Sequence, residues 1–196
     1  MIQPVPWQTD TCIGDWHYNR RIYDQHRYKT VGEVVRMLAN IVSKNGNLLL
    51  SIPVRGDGTI DEDEDTFLEG MAKWISVNGE GIFGTRPWKV FGEGPTKAAS
   101  GMFSENKMTF SAQDIRFTTK GDVLFAFLLG WPGEKGVVIQ SLASTSSLLG
   151  SRKIADVSLL GYGGKLEWSQ DDQGLKVRMP AQPPSEHAVT LKIAGL

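Results

Sequence analysis

With 196 residues, 40% of them hydrophobic and 22% charged, the chain has the composition of a folded globular protein. A formal net charge of −1 removes the electrostatic case for nucleic acid or an anionic membrane as a partner. One cysteine, Cys12, excludes an internal disulfide framework, and three histidines, of which only His17 lies near it in sequence, give no metal-ligand spacing. Neither a metal nor another cofactor is expected. No apolar run approaches the roughly 20 residues of a membrane span, and the opening MIQPVP does not read as a signal peptide. As written, the chain is expected in the cytoplasm.

Residues 6–12 read as a short strand feeding a turn at Gly14, where glycine accepts positive φ without steric strain. The surrounding stretch, Trp7 to Tyr18, is the part best suited to meet a ligand. Trp7, Gln8, Trp16 and Tyr18 supply ring faces and polar tips, the pattern a small polar ligand such as a sugar needs for binding. If the chain carries out catalysis on its own, Asp10 and Asp15 are the best carboxylate pair by position and His17 the best proton carrier near neutral pH. The same residues also suit an aromatic cluster closing one end of a core, and both readings stand.

A polar, basic linker follows from Asn19 to Lys29, carrying Arg20, Arg21 and Arg27. Thr30 begins a helix, with Glu33 completing a capping box. Val31, Val34, Val35, Leu38, Ile41 and Val42 form one apolar stripe at helical period, and Asn45-Gly46 supplies a left-handed stop. NLLLSIP, residues 47–53, is apolar on both faces, as a parallel strand covered by helices is. A GDG turn leads to five acids, Asp61 to Asp65, whose placement suits the positive end of a helix macrodipole rather than a calcium loop. Phe67, Leu68, Met71, Trp74 and Ile75 make the second stripe, closed by Asn78-Gly79.

Gly and Pro thicken between Gly79 and Gly94, which places a domain boundary there and divides the chain into 1–90 and 91–196. Beyond it the period changes. Short β-like runs appear at Met108–Phe110, Ile115–Thr118, Val123–Leu129, Val137–Ser141, Val157–Leu160, Lys165–Trp168, Leu175–Met179 and Val189–Ile193, spaced as in an antiparallel sandwich. Trp168 reads as core rather than site. The fold class is therefore α+β: two strand–helix units followed by an antiparallel β-sandwich.

Three motifs, WQTDTCIGDWHYN, VSKNGNLLLSIPVRGDGTI and WISVNGEGIFGTRPW, occur in an order and at intervals that resemble the later part of the α-L-fucosidases of glycoside hydrolase family twenty-nine. DIRFTTKGDVLFAFLLGWP and the later LLG and LKI patterns are similar to that family's C-terminal sandwich. The resemblance implies that the strand–helix units correspond to the end of a (β/α)8 barrel, whose site lies at the carboxyl ends of its strands. It implies action on α-L-fucosides with removal of terminal fucose, by a retaining mechanism that uses two carboxyl groups roughly 5 Å apart.

In the family, the nucleophile and the fucose-holding histidines sit on earlier barrel strands, and neither has a counterpart here. Where some relatives carry Trp-Glu this chain has Trp7-Gln8, and Gln8 cannot titrate. What carries over is the loop around Trp16, which resembles the aromatic wall of the fucose pocket. The expectation is a fucosidase-like protein that works as an oligomer or with groups supplied elsewhere. The alternative is a noncatalytic fucose- or carbohydrate-binding or scaffold module. The implied partners are a fucosylated glycan or small fucoside and, because two strand–helix units cannot close a barrel, a homo-oligomer covering Leu48, Leu50 and Ile52. Family members are often secreted or periplasmic.

Overall fold

The structure is a computed structural model that describes residues 1–96 and 109–196. Its first part holds β1 (Trp7–Cys12), α1 (Arg20–Asp24), α2 (Val31–Val42), β2 (Gly46–Ser51) and α3 (Glu62–Asn78). The two strands pair in parallel, Trp7 opposite Gly46 through Cys12 opposite Ser51, and α2 makes the crossover. The helix α1 falls within the stretch read as a linker. It is one short turn nucleated by Asn19, whose side chain accepts from the Arg21 N–H, with no buried residue to announce it.

Capping fixes where the two long helices begin. Thr30 Oγ1 accepts from Glu33 N at 3.3 Å and Glu33 Oε2 accepts from Thr30 N at 2.7 Å, so α2 has the expected capping box. α3 has a second box, between Asp61 and Glu64, with reciprocal bonds of 2.9 and 2.8 Å. At the C-terminal ends the two differ. Asn45 is left-handed, φ +71°, as the Asn-Gly pair after α2 requires. Gly79 instead remains right-handed at φ −60°, and the chain continues through a 3-10 turn, Gly79–Gly81. Asn78 explains the difference: buried, it donates to Trp74 O at 3.1 Å and accepts from Thr190 Oγ1 at 2.8 Å, which anchors the helix end to the sandwich.

The sandwich holds β3 (Arg86–Glu93), β4 (Ile115–Lys120), β5 (Val123–Leu128), β6 (Val137–Ile139), β7 (Asp156–Leu159), β8 (Trp168–Asp171), β9 (Gly174–Val177) and β10 (Val189–Ala194). Five strands run in the order β3-β4-β5-β10-β7 and three in the order β6-β9-β8, all antiparallel. Of the run expected at Met108–Phe110, Met108 lies outside the described residues, and Thr109 and Phe110 are not in a strand. The run at Lys165–Trp168 only touches the start of β8, a polar edge strand whose Gln170 and Asp171 carry no apolar alternation. The strand β3 spans the expected boundary at residue 90. Its Gly92 lets the backbone approach closely, since a Cβ there would stand 2.1 Å from the Ile115 carbonyl oxygen.

Alternation on β5 shows the layers. Leu124, Ala126 and Leu128 point into the core shared with the three-stranded sheet. Phe125 and Phe127 point the other way, with Leu129 just beyond the strand, into a second core with Val35, Ala39 and Trp74 of α2 and α3. The order is helices, five-stranded sheet, three-stranded sheet. Hydrogen bonds sew the first seam: Trp74 Nε1 to Ala188 O at 2.6 Å, Arg36 Nε to Leu129 O at 2.8 Å, and Arg116 Nε to Asn40 Oδ1 at 2.8 Å.

On the parallel pair, Leu48, Leu50 and Ile52 pack on Ile13, Val34 and Phe67. These three residues, expected to need a partner subunit, are partly buried against the chain's own Ile13 and its helices. The bare face is the other one, where Leu49 is 54% exposed beside Gln8, Asp10 and Asn47.

Candidate functional site

The carboxyl ends of β1 and β2 carry two loops, and these form the candidate site. After β1, Lys29 closes the first loop, donating from its backbone N–H to Ile13 O at 2.7 Å and from Nζ to Cys12 O at 2.8 Å. Gly14 is needed for a different reason from the one expected. It does not take positive φ; a Cβ there would stand 2.8 Å from the ring of Tyr28.

The tip of the loop, Asp15 to Arg20, surrounds an open depression of about 480 Å3. Trp16 is 53% exposed on its rim, and His17 is exposed beside it. Asp15 accepts a 2.7 Å hydrogen bond from Asn19 Nδ2, so its carboxylate helps to shape the loop. Arg20 bridges to Asp24 at 2.8 Å and lies 5.1 Å from the Tyr23 ring centroid. Tyr18 lies beneath, with the Arg55 guanidinium 5.8 Å from its ring centroid. Its hydroxyl is buried at the base of the loop.

The other expected site residues are elsewhere. Trp7 sits at the amino end of β1, where Nε1 donates to Lys44 O at 3.0 Å and the ring covers Gly46, whose Cβ would stand 2.6 Å away. It is a structural ring. Gln8 and Asp10 are exposed on the bare sheet face rather than in the lining of the depression. The loop therefore gathers Asp15, Trp16, His17 and Tyr18 and leaves out Trp7, Gln8 and Asp10. Of the expected carboxylate pair, Asp15 lines this depression and Asp10 does not.

A clasp that the sequence reading passed over holds this loop in place. Tyr23 Oη donates to Glu62 Oε2 at 2.8 Å, His26 Nδ1 lies 2.7 Å from Asp63 Oδ2, and Tyr28 Oη donates to Asp61 Oδ2 at 2.7 Å. Arg55, just after β2, donates to Ile60 O at 2.8 Å and lies 3.5 Å from Glu62 Oε2. The acidic turn thus completes the helix start and also receives three rings from the neighbouring loop. Burial first, then the bond to Asp61, pushes the Tyr28 phenol well above its ordinary pKa, and burial raises the Glu64 carboxyl. Tyr23, His26 and Tyr28, at spacings of three and two residues opposite a run of acids, were the available signal. Among the described residues no cluster of three His, Cys, Asp or Glu side chains could hold a metal ion.

Fold and site together define an α+β protein that presents rings and a carboxylate at the carboxyl ends of parallel strands. Residues 1–80 match the family model for alpha-L-fucosidase, and residues 108–194 match the model for the alpha-L-fucosidase C-terminal domain. The chain is 32% identical to human tissue alpha-L-fucosidase over 198 aligned positions, covering 97% of this chain and 37% of that protein. It is 29% identical to the alpha-L-fucosidase of Branchiostoma floridae, covering 100% of this chain and 40% of that one. The Thermotoga maritima alpha-fucosidase in complex with fucose superposes with a TM-score of 0.74 at 26% identity, over 98% of this chain and 41% of that one. Alpha-L-fucosidase isoenzyme 1 of Paenibacillus thiaminolyticus shares the fold, with a TM-score of 0.69. The chain belongs to the α-L-fucosidase family, and the portion it matches is the C-terminal one.

Proposed function

We propose that the chain forms one wall of an α-L-fucosidase site that hydrolyses terminal α-L-fucosides with retention, the reacting carboxylates coming from outside these 196 residues. The observation that carries this reading is the half-exposed Trp16 on the rim of a depression at the carboxyl ends of β1 and β2. Sites of open α/β sheets and barrels lie at that end. An indole face there suits the apolar C5-methyl side of fucose.

The bare face of the sheet supports the companion reading of assembly. Parallel strands are normally covered on both faces, yet among the described residues β1 and β2 pair only with each other and Leu49 is exposed. In this proposal further parallel strand–helix units, or a second copy of the chain, cover Leu49, Gln8 and Asp10, so that β1 and β2 act as part of a barrel. A noncatalytic fucose-binding role has its own support, because Asp15 is engaged by Asn19 and Asp10 lies off the depression.

An aryl α-L-fucoside tests whether the reacting groups lie outside the chain. Assayed alone, the chain should release no more aryl alcohol than its Asp10→Ala/Asp15→Ala variant, while fucose should still raise its melting temperature. Turnover that disappears in the double variant would establish catalysis within the chain and overturn the shared-site proposal.

A further inference from the structure

The three-stranded sheet lies two layers away from the Trp16 loop, on the far side of the five-stranded sheet. Across its strands, Val138, Lys176 and Ser169 stand in one row, and Val137, Val177 and Trp168 in the next. Val137 and Val177 are buried, whereas Trp168, on the edge strand β8, only partly enters the core. Its indole N–H makes no hydrogen bond among the described residues and is not enclosed. Around it opens a shallow depression of about 480 Å3, within the range of small-ligand sites, whose wall includes Val138 at 45% exposure.

The charges here are matched. Arg178 Nη1 lies 3.1 Å from Glu167 Oε2 and Lys176 is paired with Asp171, while Glu134 and Lys135 add one charge of each sign without forming an ion pair among the described residues. Charged side chains on edge strands are expected, because they discourage edge-to-edge pairing. A tryptophan with an unused donor at that edge does nothing for this purpose. A partly open indole flanked by paired donors and acceptors with no surplus charge is what a neutral polyol ring uses: C–H groups against the ring, hydroxyls against the ion pairs. An anionic ligand would find one cation without an ion pair among the described residues, Lys135, and beside it in sequence the acid Glu134.

We propose that the depression around Trp168 is a second carbohydrate-binding surface, taking a neutral oligosaccharide. It is independent of the fucose site, sharing no residue with the Trp16 loop. The sandwich would then hold a glycan chain while the strand–helix units meet its terminal residue.

The test uses the intact chain labelled with 15N, whose six tryptophans give separable indole N–H signals. Trp168→Phe assigns one of them, and lactose, maltose and cellobiose are the probes. At least one disaccharide should move the Trp168 signal saturably at millimolar concentration and leave that of Trp16 in place. Trp168→Ala should weaken binding by about tenfold or more, from the lost stacking area. Arg178→Ala, at an exposed position, should weaken it with no change in melting temperature, and it decides the matter if Trp168→Ala fails to fold. A Trp168 signal that stays still with all three sugars overturns the proposal. So does a shift that glycerol reproduces, or one that Arg178→Ala leaves unaltered. Preference for sialyllactose over lactose, lost on adding salt, would overturn the assignment of a neutral ligand.

Discussion

Tyr28 donates a 2.7 Å hydrogen bond to Asp61, 33 residues away, and thereby locks the loop after β1 onto the residue that starts α3. Asp61 is the N-cap of that helix, so one carboxylate serves the helix start through Oδ1 and the loop through Oδ2. The aromatic wall is held by this bond and by the tight contact of the Tyr28 ring on Gly14.

Tyr28→Phe keeps the ring and removes only the donor to a charged acceptor, which should lower stability by about 1.5–3 kcal/mol. Acrylamide should quench Trp16 more readily in the variant, because the loop loses its latch. The wild-type phenol should also remain protonated when ordinary tyrosines ionise near about pH 10, since burial and Asp61 raise it. Ultraviolet titration showing Tyr28 ionising with the others would contradict the clasp.

A second consequence concerns pH. Burial, and then the neighbouring Arg116, lower Lys44 from 10.5 to about 8, and its Nζ lies 4.9 Å from the Phe91 ring centroid. The folded chain therefore releases this proton before the unfolded chain does. The contribution of Lys44 to stability is greatest above pH 10.5 and is lost as pH falls through about 8. Urea midpoints should rise across that window in the wild type, and Lys44→Met should flatten the rise. An unchanged slope in the variant would assign it to another group.

The helical part was legible because capping and stripe agree. Thr30 with Glu33, the acids Asp61 to Asp65 at a helix start, and the apolar positions at helical period all point to the observed α2 and α3, whereas the second capping box, Asp61 with Glu64, went unread. Strand β3 was hidden because Gly92 and Pro87 read as loop residues, whereas the glycine serves a close approach and the proline sits at the second position of an edge strand. The site was half legible for a related reason. Adjacency in sequence suggested that Trp7 and Trp16 lie together, but a six-residue extended strand separates its ends by roughly 16 Å. The clasp from α1 to α3 depends on contacts between distant residues, so the three rings and the run of acids were each visible but their pairing was not.

The seam between sheet and helices sets the limits of the folding unit. A piece beginning at residue 91 would cut β3 and strip α2 and α3 from Phe125, Phe127 and Leu129. An uncovered row of that size is an aggregation hazard. Residues 91–196 alone should bind a hydrophobic dye and sediment as aggregates, while the full chain does neither. A monodisperse piece with a sharp thermal transition would show that the sandwich is stable without the helices.

The role of Trp16 can be separated from that of a core tryptophan by pairing two substitutions. Trp16 is 53% exposed and Trp74 is 2% exposed, with an indole bond to Ala188. Trp16→Ala should alter stability by less than about 0.5 kcal/mol, as exposed substitutions do. Trp74→Ala should cost about 3–5 kcal/mol, through lost burial and the cavity left behind. Fucose recognition should follow the opposite order. Stacking is worth about 0.5–1.5 kcal/mol beyond the area covered, so Trp16→Ala should weaken fucose binding by several-fold to about a hundredfold once the lost area is added. Calorimetric melting with and without fucose measures both effects in one experiment. If fucose raises the melting temperature of wild type and Trp16→Ala equally, the indole on the rim takes no part in holding the sugar.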